Sequence, residues 1–192
     1  MFSFQPESWT VGDLFVSQKG AKSASITCCG EAPKFRFATP ENPICSPYGA
    51  SSFDAGTRLS IDFVLTKDLQ DFCETLDSWA KTTLQENSEI LFHKKHSKET
   101  IEQMYQSVIK KHAKGSNTYP NTVRCKFNST GPRQIRFWDE QHKPIDQPDL
   151  KHHKVVPLVE IRSFWFANNS CGLTLDIIDL MCLQTAEKKC PF

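Results

Sequence analysis

The sequence predicts an α+β chain, mainly β, built on a small antiparallel barrel with one long amphipathic helix and a second, shorter basic helix. Three observations predict it. Apolar and polar side chains alternate with period two over 57–65, 122–127 and 133–138, the signature of strands. Residues 67–86 instead repeat apolar side chains at three- and four-residue spacing, the helical period. Clusters of Gly, Pro, Asn and Ser separate these segments and never lengthen into a linker, so 1–192 reads as one domain with room for a sizeable core.

In chain order, 1–56 reads as N-terminal strands and a loop. Segments 9–16, 23–29 and 34–39 are short strands, and 40–56 is a turn-rich loop with three prolines and two glycines. Strand 57–65 places Leu59, Ile61, Phe63 and Leu65 inward and Arg58, Ser60, Asp62 and Val64 outward. Thr66 is a fitting N-cap for helix 67–86, whose acids at 68 and 71 favour the positive end of the dipole. Ser97 is read as the cap of a second helix over 97–113, with Ile101, Met104, Tyr105, Val108 and Ile109 on one face and Lys110 and Lys111 near its end. The stretch 122–183 is a β-meander, and 184–192 is a short tail. In the meander Val123, Cys125 and Phe127 face in and Arg124 and Lys126 face out. The next strand puts Ile135 and Phe137 on one side and Arg136 and Trp138 on the other. Arg124, Lys126, Arg136 and Trp138 are thereby expected on the outer face of one hairpin. Along 155–166, strict alternation sets Val159, Ile161 and Trp165 against Glu160, Arg162, Phe164 and Phe166, and a bulge near Ile178 is expected to shift the register of the last strand.

Composition excludes several classes. No apolar run approaches the ~20 residues of a membrane span. The first residues carry no basic and apolar leader, so a soluble intracellular protein of the nucleus or cytoplasm is expected. The eight cysteines contain no Cys-x-x-Cys pair, and reduced thiols are the expectation. His93 and His96 lack a second ligand pair, so no metal or other cofactor is expected. No phosphate loop, nucleophile elbow or catalytic carboxylate pair is present, which argues against an enzyme.

Charge is segregated. Net charge is +1, yet residues 1–90 hold 7 Lys/Arg against 12 Asp/Glu, and residues 91–170 hold 14 against 7. Such asymmetry marks an electrostatic footprint in the second half. The chain also has fourteen Phe and four Trp, several of them interleaved with cations on strands. Phosphates require charge and unpaired bases require flat apolar surfaces, so this pattern suits single-stranded nucleic acid. Trp138, Phe164 and Phe166, together with Phe35 and Phe37, are the expected stacking surfaces. Lys34, Arg36, Arg124, Lys126, Arg133, Arg136, Lys151, Lys154 and Arg162 are the expected backbone track. The competing reading is a structural or assembly subunit, of a virion or a replication complex, whose aromatic strands form a protein interface, with the arginines snorkelling at its rim.

From Ser46 onward the element order resembles the T7-type phage single-stranded DNA-binding protein and its counterparts in large eukaryotic DNA viruses. The resemblance is carried by the Pro47, Tyr48, Gly49 loop into an alternating strand and by the long helix. Next comes the turn spanning Phe137, Trp138, Asp139, Lys143, Pro144 and Ile145. Last is a strand pair whose first member ends in Phe164, Trp165 and Phe166 and whose second opens at Gly172. It implies an OB-fold, a five-stranded barrel capped by a helix, that coats single-stranded DNA during replication, recombination and repair. It also implies replication proteins as partners, with the terminal Phe192 as a partner-binding residue, and leaves homo-oligomerisation open. The family's acidic run before that terminal aromatic is missing here, which puts tail-mediated recruitment in doubt. Nothing in the sequence reads a ribose hydroxyl, so RNA stays open as the alternative strand.

Overall fold

The computed structural model describes residues 6–18, 20–52, 56–114 and 117–183. After a short 3₁₀ turn (Pro6–Ser8), the elements are β1 (Trp9–Val16), β2 (Lys22–Cys28), β3 (Lys34–Arg36), β4 (Ile44–Cys45), β5 (Ala50–Ser51), β6 (Arg58–Val64), α1 (Lys67–Glu86), α2 (Ser88–Phe92) and α3 (Lys98–Met104). Then follow β7 (Tyr105–Gln106), β8 (Ile109–Lys114), β9 (Asn117–Asn128), β10 (Arg136–Trp138), β11 (Pro144–Ile145), β12 (Lys154–Ala167) and β13 (Ser170–Cys182). The chain is mainly β. No helix among the described residues is long and apolar enough to cross a membrane.

Among the described residues thirteen strands join one mixed sheet whose main path runs β1-β2-β12-β13-β9-β6-β5. The path has two ends, so the expected closure into five antiparallel strands is not part of this pairing. Its spine is the long β12–β13 hairpin. Along the outer edge of β12 lie β4, β3 and β2 in turn. Along the outer edge of β13 lie β10, β9 and β7, all parallel to it.

One face of the sheet is covered by α1. Thr66 Oγ1 accepts the Leu69 amide at 3.3 Å, satisfying one of the free donors of the first turn. The helix buries Leu69, Phe72, Cys73, Leu76, Ala80 and Leu84 against the core. Phe72 packs on Phe35 and Phe37 of the β3 segment, with ring centroids 5.0 and 5.9 Å apart, and Trp79 stacks on Phe164 of β12 at 5.9 Å. Cys171 and Cys182 lie in this apolar layer, where burial pushes both thiols up to about 11.

The structure corrects three expectations. The second helix ends at Met104, because Asp77 of α1 reaches across and accepts from Tyr105 Oη (2.7 Å), Ser107 Oγ and the Val108 amide (3.2 Å). Those contacts and the pairing of β7 with β13 draw the chain into strands, so Lys110, Lys111 and Lys114 belong to β8 and not to a basic helix. Nor does β10 form a hairpin with β9; it pairs with β11 and runs parallel to β13. The third correction concerns β12. Ile161 pairs with Leu175 and Ser163 with Thr174, so Arg162 is an extra residue. The bulge reverses the alternation beyond it: Phe164 turns into the core, fully buried, and Trp165 turns out. The expected bulge at Ile178 is present, since Leu158 pairs with Asp179 and Val159 with Ile177.

Candidate nucleic-acid interface

The face of the sheet opposite α1 is polar, and register alone brings its residues together. On β6 and β9, Ser60 lies across from Lys126 and Asp62 from Arg124. Lys126 in turn lies across from Asp176 of β13, and Asp176 from Glu160 of β12. Because of the Ile178 bulge, Asp176 and Asp179 share this face in spite of their odd spacing.

The carboxylates on this face are buried or half-buried, and each holds arginines. Asp62 takes a bidentate pair from Arg124 at 2.8 and 2.7 Å. Asp176 binds both Arg58 and Arg162, the latter at 3.2 Å, while Arg58 also donates to Asn128 Oδ1 at 3.1 Å. Glu160 accepts from Arg133 at 2.9 Å. Asp179 takes Arg136 at 2.7 and 2.6 Å and the Trp138 indole N–H at 2.8 Å. Each arginine is thereby fixed in direction, and among the described residues these contacts use fewer than the five N–H donors of a guanidinium. Lys110 and Lys126 make no ion pair among the described residues. Among these groups alone, five arginines and two lysines stand against four carboxylates, an excess of three positive charges. The crowding is felt: burial first, then Arg58, with Arg124 and Lys110 adding, pulls the Lys126 ammonium below its usual range, and Asp176 opposes them.

Between β6, β9 and the β7–β8 segment this face sinks into a groove of about 420 Å³. Arg58, Lys110, Arg124 and Lys126 line it, and the Trp165 indole forms part of its floor. Trp165 lies across from Gly172, and the missing side chain lets the indole approach β13 closely: a methyl there would meet Trp165 Cζ2 at 2.9 Å. An aromatic ring against a strand, in a groove lined by cations, can accept an unpaired base and its flanking phosphates.

No protein-family model matches this chain, and no curated relative does. Among solved structures, gp2.5, a single-stranded DNA-binding protein encoded by bacteriophage T7, superimposes with a TM-score of 0.53 at 12% identity, over 81% of this chain and 88% of that one. The fold resembles that of gp2.5. The C-terminally truncated single-stranded DNA-binding protein of bacteriophage Enc34 aligns over 93% of this chain and 94% of that one at 10% identity, with a TM-score of 0.49.

The sequence-predicted residues divide into groups. Arg124 and Lys126 line the gp2.5-like sheet's groove, and Arg162 adjoins it through Asp176. Arg133, Arg136 and Trp138 lie further along β13 on the same face, with the Arg136 guanidinium 5.8 Å from the Trp138 ring centroid. Lys34 and Arg36 flank β12 across from Glu160 and Leu158, with Lys34 bonded to Glu31 at 3.1 Å. Lys151 and Lys154 are exposed at the end of β12 remote from Trp165. Phe35, Phe37 and Phe164 are on the α1 side as core, and Phe166 packs edge-on against Phe92 at 5.2 Å; none of the four reaches the groove. Phe192 lies outside the described residues. Sequence reasoning missed three groove residues. Arg58 was legible as an outward cation on β6, Lys110 was assigned to a helix, and Trp165 was placed on the wrong face by the Arg162 bulge.

Proposed function

We propose that the chain binds single-stranded DNA without sequence preference, stacking a base on Trp165 and holding the flanking phosphates with Lys110, Lys126, Arg58 and Arg124. The observation that carries this reading is the cationic groove with an indole on its floor. The gp2.5-like fold supports it, since that protein is a single-stranded DNA-binding protein. The sheet is then read as an elaborated single OB-fold-like domain, and the role as coating DNA during replication, recombination or repair. Arg133, Arg136 and Trp138 would continue the track along β13.

The test is anisotropy of a fluorescein-labelled oligo(dT) of about 30 nucleotides at low and high salt, with duplex DNA and oligo(rU) as competitors. Tight, salt-sensitive binding that duplex fails to displace supports the reading, and Trp165→Ala and Lys126→Ala should both weaken it. Absence of binding at low salt would overturn it and favour the aromatic strands as a protein interface.

A further inference from the structure

The β8–β9 ribbon leaves the sheet. β6 accompanies β9 only from Thr122 to Asn128, whereas β8 stays paired with β9 back to Asn117. Beyond Thr122 no third strand among the described residues pairs with the ribbon. A two-stranded arm therefore projects from the wall of the groove.

Its side chains are phased by a bulge. Lys110 pairs with Thr122 and His112 with Tyr119, so Pro120 and Asn121 together oppose Lys111 alone. An uninterrupted strand would turn Tyr119 to the face opposite Thr122; the extra residue returns it to the same face. Proline suits this position, because a bulge spares it a ladder hydrogen bond. By alternation Thr122 shares the face of Arg124 and Lys126, the groove side. His112 confirms the phase, its Nε2 lying 2.8 Å from Thr122 Oγ1. Lys110 thus lies at the groove and His112, beside its register partner Tyr119, one step further out, and Tyr119 is 45% exposed.

We propose that this ribbon is an arm that receives the single strand as it leaves the groove, with Tyr119 stacking a further base. The inference rests on the groove reading and extends it to a second aromatic station. An exposed tyrosine beside a lysine and a histidine at the mouth of a cationic groove has the chemistry of a stacking platform with phosphate contacts.

The experiment compares wild type, Tyr119→Ala and Tyr119→Phe on an oligo(dT) ladder from about 4 to about 20 nucleotides, which brackets the roughly 4–16 nucleotides of a single-strand site. The shortest strands, held at Trp165, should bind all three proteins alike. Above a threshold length wild type and Tyr119→Phe should gain affinity that Tyr119→Ala lacks, by roughly fivefold or more. Equal affinities at every length would overturn the arm while leaving the groove intact. A loss on the shortest strands, or Tyr119→Phe as weak as Tyr119→Ala, would overturn stacking at a separate station. Failure of wild type to bind any length would instead remove the groove reading itself.

Discussion

Gly172→Ala tests the geometry of the groove floor. The added methyl would stand 2.9 Å from Cζ2 and 3.0 Å from Cε2 of Trp165, and 3.0 Å from the Gln106 carbonyl oxygen. The indole can swing away, but the carbonyl cannot easily follow. Gln106 pairs with Gly172, and its neighbour Tyr105 is tied to Asp77 at 2.7 Å. Overpacking of this kind costs about 1–3 kcal/mol. With a urea slope of about 2 kcal/mol per molar, the unfolding midpoint should fall by roughly 0.5–1.5 M. The displaced indole should also lose its base, weakening oligo(dT) binding by about 5- to 150-fold, the range of one stacking contact. Urea melts and anisotropy on the same samples read both effects. In a Trp165→Ala background the substitution should cost less stability, because only the Gln106 contact remains, and should lower affinity no further. A Gly172→Ala protein that melts and binds like wild type would refute the close approach and the floor built on it.

The reversal of phase on β12 predicts opposite outcomes for adjacent aromatics: Phe164→Ala should destabilise by about 3–5 kcal/mol in urea melts, whereas Trp165→Ala should keep the fold and lose binding. Lys126 predicts a pH effect. Its folded-state pKa lies below the ordinary lysine value of 10.5, so the folded chain sheds that proton first, and stability from this group rises as pH climbs toward 10.5 while phosphate binding falls. Affinity measured up that alkaline limb should drop earlier in wild type than in Lys126→Arg; identical limbs would count against Lys126 as a contact. Arg124→Ala leaves Asp62 buried without its bidentate partner and should cost roughly 1–3 kcal/mol in thermal or urea unfolding, partly recovered by the further change Asp62→Asn. Lys110→Ala should reduce the slope of log affinity against log salt by about 0.7, the value for one phosphate contact on a single strand.

What the sequence made legible follows from where local signals are unopposed. β1 and α1 are bounded in the chain as alternation, Thr66 and helical spacing indicate, and the Ile178 bulge showed because apolar residues at 173, 175 and 177 are followed by another at 178. The Arg162 bulge left no such trace. β12 is apolar on both faces for most of its length, so either phase satisfies its pattern, and only pairing with β13 decides. Residues 101–109 carry a spacing that fits a helix, yet Asp77, some thirty residues earlier, ends that helix through three hydrogen bonds.

The same asymmetry applies to the interface. Two of its groove cations, Arg124 and Lys126, could be named from the chain, but the ion-pair partners could not: Arg58 and Asp176 are 118 residues apart, Arg124 and Asp62 are 62 apart. Those partners change what the cations can do. An arginine tied to a half-buried carboxylate is already oriented, so a phosphate that engages its outer N–H groups need not order a free side chain, but the phosphate meets a charge already partly neutralised. Lys110 and Lys126 make no ion pair among the described residues, so their ammonium groups are less neutralised and lose more freedom on engaging a phosphate. Counterion release should therefore be concentrated in the two lysines and geometric discrimination in the arginines. A groove built this way would hold a strand in a fixed path without reading its bases, which is the property that coating single-stranded DNA demands.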